Sequence, residues 1–204
     1  MLYDVKNLSG EAIPPFGICR LKSVSGRFGE DNEGLYYEAV KPDGIAGIYC
    51  VNGYTELPNN KRRSMRSWET ATAVAINPTE TVAFGDMIGP VVGQWYASLK
   101  GGGYLVLDAK ESNDVVPVVF QRETLRRWAR MTSNLTVATT METNEGTGTA
   151  VLRKENLSTG HYTDSGLSVT VRNRYEFVQV PSGTVVEILS VFGKWRIVGA
   201  DCEE

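Results

Sequence analysis

The chain has 204 residues, 42% of them apolar, a net charge of −3 and three cysteines. That length fits one or two domains with a real core. So small a charge, shared evenly between the two halves, makes no electrostatic case for a nucleic-acid or membrane-surface binder.

Cys19, Cys50 and Cys202 are far apart and in no metal-ligand spacing. Buried thiols in a reducing setting are expected, rather than a disulfide or a zinc site. The opening MLYDVKNLSGEAIPP has no basic stretch followed by a long apolar run, and no apolar run reaches the ~18 residues of a membrane span. The expectation is a soluble protein made in a cytoplasm, with no signal peptide and no membrane contact.

Short β-like runs then follow one another. Residues 3–8 and 17–24 read as strands, separated by SGEAIPP, whose Ser-Gly and Pro-Pro break regular structure. Ile13, before Pro14, must be extended. After the polar loop SGRFGEDNEG, residues 35–40 alternate as a half-buried strand and KPDG makes a turn. Residues 48–51 form a further strand, ended by Asn52-Gly53, a pair that tolerates positive φ.

PNNKRRSMRSW then sets Lys61, Arg62, Arg63 and Arg66 beside Trp68. This is either a solvated loop tip or a patch for phosphate or carboxylate groups, and an acidic surface on a protein partner is its best functional form. Strands are expected at 69–76, 81–84, 94–99 and 104–109, with another around Met87 and Ile88. Neither GPVVG nor KGGG has the preceding buried strand, following helix and Lys-Ser/Thr end of a phosphate loop, so GGG reads as a flexible hairpin. Pro117 makes VVPVVF (115–120) an edge or domain-closing strand. So many short strands between Gly-, Pro- and Asn-rich turns predict an all-β chain, with residues 1–120 forming an N-terminal β barrel or sandwich.

Residues 121–144 read as a connector and extended arm. In QRETLRRWARM, Leu125, Trp128 and Ala129 fall at helical spacing, with Thr124 as cap, and Arg122, Arg126, Arg127 and Arg130 surround that face. The segment is either a plain hinge or a docking surface, since Trp and Arg are enriched at interface hot spots. Arg126, Arg127, Trp128 and Arg130 are therefore candidate protein-interface residues, together with Arg62, Arg63, Arg66 and Trp68. Strands at 146–153, 167–173, 185–191 and 194–198 then predict a smaller C-terminal antiparallel β domain over 145–204.

Several turn and core motifs carry a resemblance. NLSGEAIP near the start, YEAVKPDG, VNG and GPVVGQW are similar to the opening of a group of tailed-phage proteins. SGTVVEI, GKWRI and ADC resemble the C-terminal β module found with it. The resemblance implies a virion structural protein: a capsid decoration (cement) protein, or a head-fibre, tail or neck component. It implies the major capsid protein or other virion proteins as partners, self-association with a trimer as the guess, location in a virion assembled in the host cytoplasm, and no enzymatic activity.

The residues themselves argue the same way about catalysis. His161, the single histidine, lies in STGHYTDSG near Ser158, Asp164 and Ser165, but Ser-, Thr- and Asp-rich loops are ordinary turns, and a triad is recognised by geometry. No cofactor and no metal site is expected. Paired carboxylates from distant strands keep a hydrolase as the third class, behind a decoration protein and a receptor- or glycan-binding adaptor. Exposure of Trp68, Trp95, Tyr96, Tyr104 and Trp128 separates the last two, because sugar rings stack on aromatic faces.

Overall fold

The computed structural model describes residues 1–25, 34–45, 47–110, 113–138, 145–155, 159–174, 179–191 and 193–200. Most of the polar loop after Ser25, the end of the Thr-rich segment, Ser158, Phe192 and Cys202 lie outside the described residues. The chain is all-β, arranged as three five-stranded units in tandem.

The first unit holds β1 (Leu2–Asn7), β2 (Ile18–Ser25), β3 (Tyr36–Val40), β4 (Ile48–Val51) and β5 (Arg62–Ser67). They close a barrel in the order β1-β3-β2-β4-β5, in which only β1 and β3 run parallel. The second holds β6 (Ala73–Ala75), β7 (Met87–Pro90), β8 (Ala97–Ser98), β9 (Tyr104–Val106) and β10 (Val115–Phe120). Its sheet order is β6-β10-β9-β7-β8, and a parallel bridge between Ile76 and Ala97 joins the two edges. Counted from the first strand of each unit, the two rings have the same order and the same parallel pair.

The third unit holds β11 (Arg126–Met131), β12 (Gly146–Glu155), β13 (Tyr162–Asn173), β14 (Val185–Val191) and β15 (Lys194–Ala200). It closes in the order β11-β12-β13-β15-β14, with β13 and β15 parallel. This is again the same ring, entered at its fourth strand. Its third, fourth, fifth, first and second strands neighbour one another as do the first to fifth of the earlier units.

Local chemistry repeats with the topology. Asn7 Oδ1 accepts from Ser9 N at 3.1 Å and Ser9 Oγ at 2.7 Å; Asn77 Oδ1 accepts from Thr79 N at 3.2 Å and Thr79 Oγ1 at 3.0 Å. Each is an Asx turn leaving the first strand of its unit. The next turn closes from Gly17 N to Pro14 O in one unit and from Asp86 N to Ala83 O in the other, with Phe16 and Gly85 at positive φ. Asn60 and Asp114, also at positive φ, lead into β5 and β10. Those strands end in 3-10 turns, Trp68–Thr70 and Arg122–Leu125. In each turn a threonine hydroxyl donates three residues back, Thr70 to Ser67 O and Thr124 to Gln121 O.

The first two units share a core. Ile18, Tyr49 and Val51 of the first pack with Val74, Ile88, Tyr104, Val106 and Val116 of the second around Trp68. Trp95 reaches back into the inner core of the first barrel, beside Val5, Cys19, Cys50 and Met65. The C-terminal barrel has its own core, built on Ala129, Met131, Leu152, Val171, Ile188 and Trp195. It is joined to the second unit by backbone chemistry. Trp195 Nε1 donates to Lys100 O at 2.6 Å, Arg127 Nη1 to Leu99 O at 3.1 Å, and Gly103 N to Thr124 Oγ1 at 3.0 Å.

Several expectations are corrected by this arrangement. QRETLRRWARM is not a helical connector: one 3-10 turn is followed by strand β11, paired on both sides with β12 and β14. The strand period of two sets Trp128 and Ala129 on opposite faces. The following residues, as far as Ala138, do not form a free arm; Leu135 bridges to Val180 and Thr132 N donates to Thr149 O. The KGGG segment is no flexible hairpin, since Gly101, Gly102 and Gly103 are all buried at the junction with the C-terminal barrel. Pro117 does not mark an edge, because β10 pairs with β6 over its first half and β9 over its second. Residues 69–76 yield only the short β6, and residues 81–84 form no strand. Asn52, in the expected turn, is 3% exposed and donates to Ile13 O, Pro14 O and Thr55 O.

A cationic cleft as the candidate functional site

Strand alternation decides what each candidate residue can do. On β5, Met65 points into the first barrel while its neighbours line the outside. Arg62 pairs with Asp4 and stacks over the Tyr36 ring. Arg63 donates to Asn52 Oδ1 at 3.1 Å and to Thr55 Oγ1 at 2.7 Å. Trp68 is 8% exposed and sits among Tyr49, Tyr104 and Phe120 in the shared core. The sequence cluster is thus divided: Lys61 and Arg66 are exposed, and Arg66 lines a shallow groove with Leu2, Phe16 and Tyr54.

The second cluster stays together in part. On β11, Arg126, Trp128 and Arg130 face outward, while Arg127, Ala129 and Met131 face in. Arg130 pairs with Asp164 on β13; this bond holds the Asp164 carboxyl below its usual range, and the same carboxylate raises Arg130. Arg126 meets Glu187 of β14 at 3.2 Å. Arg126, Arg127 and Trp128 then line one cavity of about 150 Å³ with Met87, Arg153, Glu155, Tyr162 and Glu187. A second cavity of about 240 Å³ lies along the same junction, between Gly85, Asp86, Met87 and Leu99 on one side and Arg127, Lys154, Ser165 and Leu167 on the other. Met87 and Arg127 belong to both.

Charge in this cleft is unevenly matched. Lys154 reaches across the junction to Asp86 at 2.8 Å, and Arg126 has Glu187. Among the described residues Arg127, only 8% exposed, is bonded to the Leu99 carbonyl and to no carboxylate, and its buried Nε has no acceptor. Burial pushes the Arg127 guanidinium down to about 10, against the pull of Asp86. Arg153 likewise donates to a carbonyl, Tyr162 O at 2.6 Å, leaves its own buried Nε unpartnered and stacks over the Tyr162 ring. Two guanidiniums bonded to carbonyls alone therefore face one cavity, walled by Met87, Trp128 and Tyr162.

Sequence reasoning located Arg126, Arg127 and Trp128 but missed Arg153, Tyr162 and Lys154, which arrive on the β12–β13 ribbon. The signal present was RKE (153–155) at the end of an alternating strand, where the outward side chains turn cationic. Among the described residues the histidine turn does not assemble as a triad. His161 is exposed, Asp164 is held by Arg130, and Ser165 Oγ donates to Leu152 O. Cys19 and Cys50 face each other across β2 and β4 as free thiols, and burial pushes Cys19 up to about 12 and Cys50 higher still. Among the described residues, no group of three or more His, Cys, Asp or Glu could hold a metal ion. No helix among them is long and apolar enough to cross a membrane.

Fold and cleft together define an all-β protein of three tandem five-stranded units with a cationic cleft at its second junction. No protein-family model matches the chain, and no curated protein and no solved structure matches it.

Proposed function

We propose that the chain is a non-enzymatic structural protein of a tailed-phage virion, of the capsid-decoration type, which binds the major capsid protein and further copies of itself. The observation that carries this reading is the joining of three β units into one body. Two of them share a hydrophobic core, and the third is held by two part-buried hydrogen bonds and a glycine-lined contact. Such a body suits a clamp that bears load between subunits, and the motifs YEAVKPDG, GPVVGQW and GKWRI resemble phage virion proteins. Three copies about a local threefold axis is the expected arrangement. The test is to mix purified protein with undecorated heads and count the bound copies by quantitative gel or mass spectrometry. Binding on the order of hundreds of copies per head supports decoration; labelling confined to the tail sinks it.

A second reading, a tail, neck or head-fibre adaptor, is favoured by two exposed aromatics, Tyr54 at 82% and Phe84 at 75%. Its glycan-binding form loses weight because Trp68, Trp95 and Tyr104 are buried.

A further inference from the structure

We propose that the cleft between the second unit and the C-terminal barrel is a binding site for a single oxyanion group, a carboxylate or phosphate, held between Arg127 and Arg153. This reading is independent of where the protein is located.

Four cations line the two cavities of this junction, and carboxylates account for two of them. Lys154 is matched by Asp86 and Arg126 by Glu187, each across a different pair of elements. Arg127 and Arg153 are different. Each spends a donor on a backbone carbonyl, and among the described residues each has a buried Nε with no acceptor and neither is bonded to a carboxylate. A guanidinium presents five donors in a planar fork suited to two oxygens of one anion. Arg127 is buried with Asp86 acting on it without a bond, and desolvation strengthens the attraction of a buried guanidinium for an anion.

The cavity geometry narrows the ligand. About 150 Å³ admits one carboxylate or phosphate with a short stem, not a nucleotide or an oligosaccharide. Its walls of Met87, Trp128 and Tyr162 present apolar surface beside the guanidiniums and lower the local dielectric. Glu155 on the same lining opposes an incoming anion and sets how tightly it is held. Two sources supply this chemistry: a small free anion such as phosphate, or an aspartate or glutamate side chain inserted by a protein partner.

Thermal unfolding of the full chain, titrated with sodium phosphate against sodium chloride at matched ionic strength, tests the proposal. A parallel arm uses a short blocked peptide bearing one glutamate, against its glutamine counterpart. The expected result is a saturable rise in Tm with phosphate, glutamate peptide or both, beyond that of chloride. Arg153→Ala and Arg127→Leu should each weaken the apparent affinity roughly tenfold, as loss of a charge-assisted fork implies. Glu155→Gln should strengthen it, and Lys22→Ala should leave it unchanged. The arm that saturates at lower concentration identifies the source. Responses that follow ionic strength alone, or that survive in Arg153→Ala, overturn the proposal; should Arg127→Leu fail to fold, Arg153→Ala and Glu155→Gln still decide it.

Discussion

At the residue scale, glycine and arginine set the tolerances of this molecule. Gly89 lies directly over the backbone of Gly101 and Gly102, and a Cβ there would collide with the Gly102 carbonyl. Both partners are main chain, so no rotamer change relieves the clash. Gly89→Ala should therefore lower stability by about 3 kcal/mol or more, the upper range of overpacked sites, read from urea unfolding. Gly85→Ala, where a Cβ meets open space but φ is +84°, should cost less, about 1 kcal/mol. The Asp164 carboxyl is held low by Arg130, so its contribution to stability is present above the unfolded carboxylate range and lost as pH falls through the lower folded value. An NMR titration should find Asp164 below an ordinary aspartate, and Arg130→Ala should return it to the ordinary range. An unchanged titration in that variant would mean that the pair has no electrostatic role.

At the element scale, β11 shows strand pairing overriding a local helical spacing. Its sequence has both a helical spacing and a strand alternation, because RRWARM satisfies either pattern over so short a span. The pairing partners decide: β12 and β14 offer backbone donors and acceptors on both sides, and an isolated turn or two of helix has no comparable stabilisation. Trp128 consequently faces the cleft rather than the barrel interior. Trp128→Ala is expected to weaken attachment to the proposed virion partner while leaving Tm within about 2 °C, because a half-buried outward residue contributes little to the core. Loss of both together would assign Trp128 to packing alone. The opposite holds for Trp195, whose indole is buried and donates to Lys100 O. Trp195→Phe keeps most of the apolar contact but orphans that carbonyl, at about 1–3 kcal/mol. The loss should appear in chemical denaturation and as faster amide exchange in the Lys100–Gly103 backbone.

At the scale of the whole molecule, the three units should not unfold independently. The first two share one core cluster, and the junction with the third is made of buried backbone and glycine contacts that leave no slack for separation. A single cooperative transition is expected, with tryptophan fluorescence and far-UV circular dichroism coincident. Two separated transitions would show that the C-terminal barrel is an autonomous domain. The same rigidity is what a clamp between capsid subunits requires, so one measurement bears on both fold and proposed role.

Much of this was legible in the chain. The all-β class followed from short alternating runs broken by Gly, Pro and Asn, because a period of two with frequent turns is incompatible with long helices. The Arg/Trp content of β11 was visible as an interface candidate. The paired Asx turns at Asn7 and Asn77 and the threonines at 70 and 124 were also present as residues, but their equivalence appears only once strands are paired. Two things belonged to the tertiary structure alone. The cleft is assembled from β11, β12, β13, β14 and the turn before β7, elements up to a hundred residues apart, and no local pattern encodes which guanidinium finds a carboxylate. The buried KGGG segment is the other case. Glycine in a sequence signals either freedom or close approach, and only the surface packed against it, here Gly89, Thr124 and Trp195, decides between them.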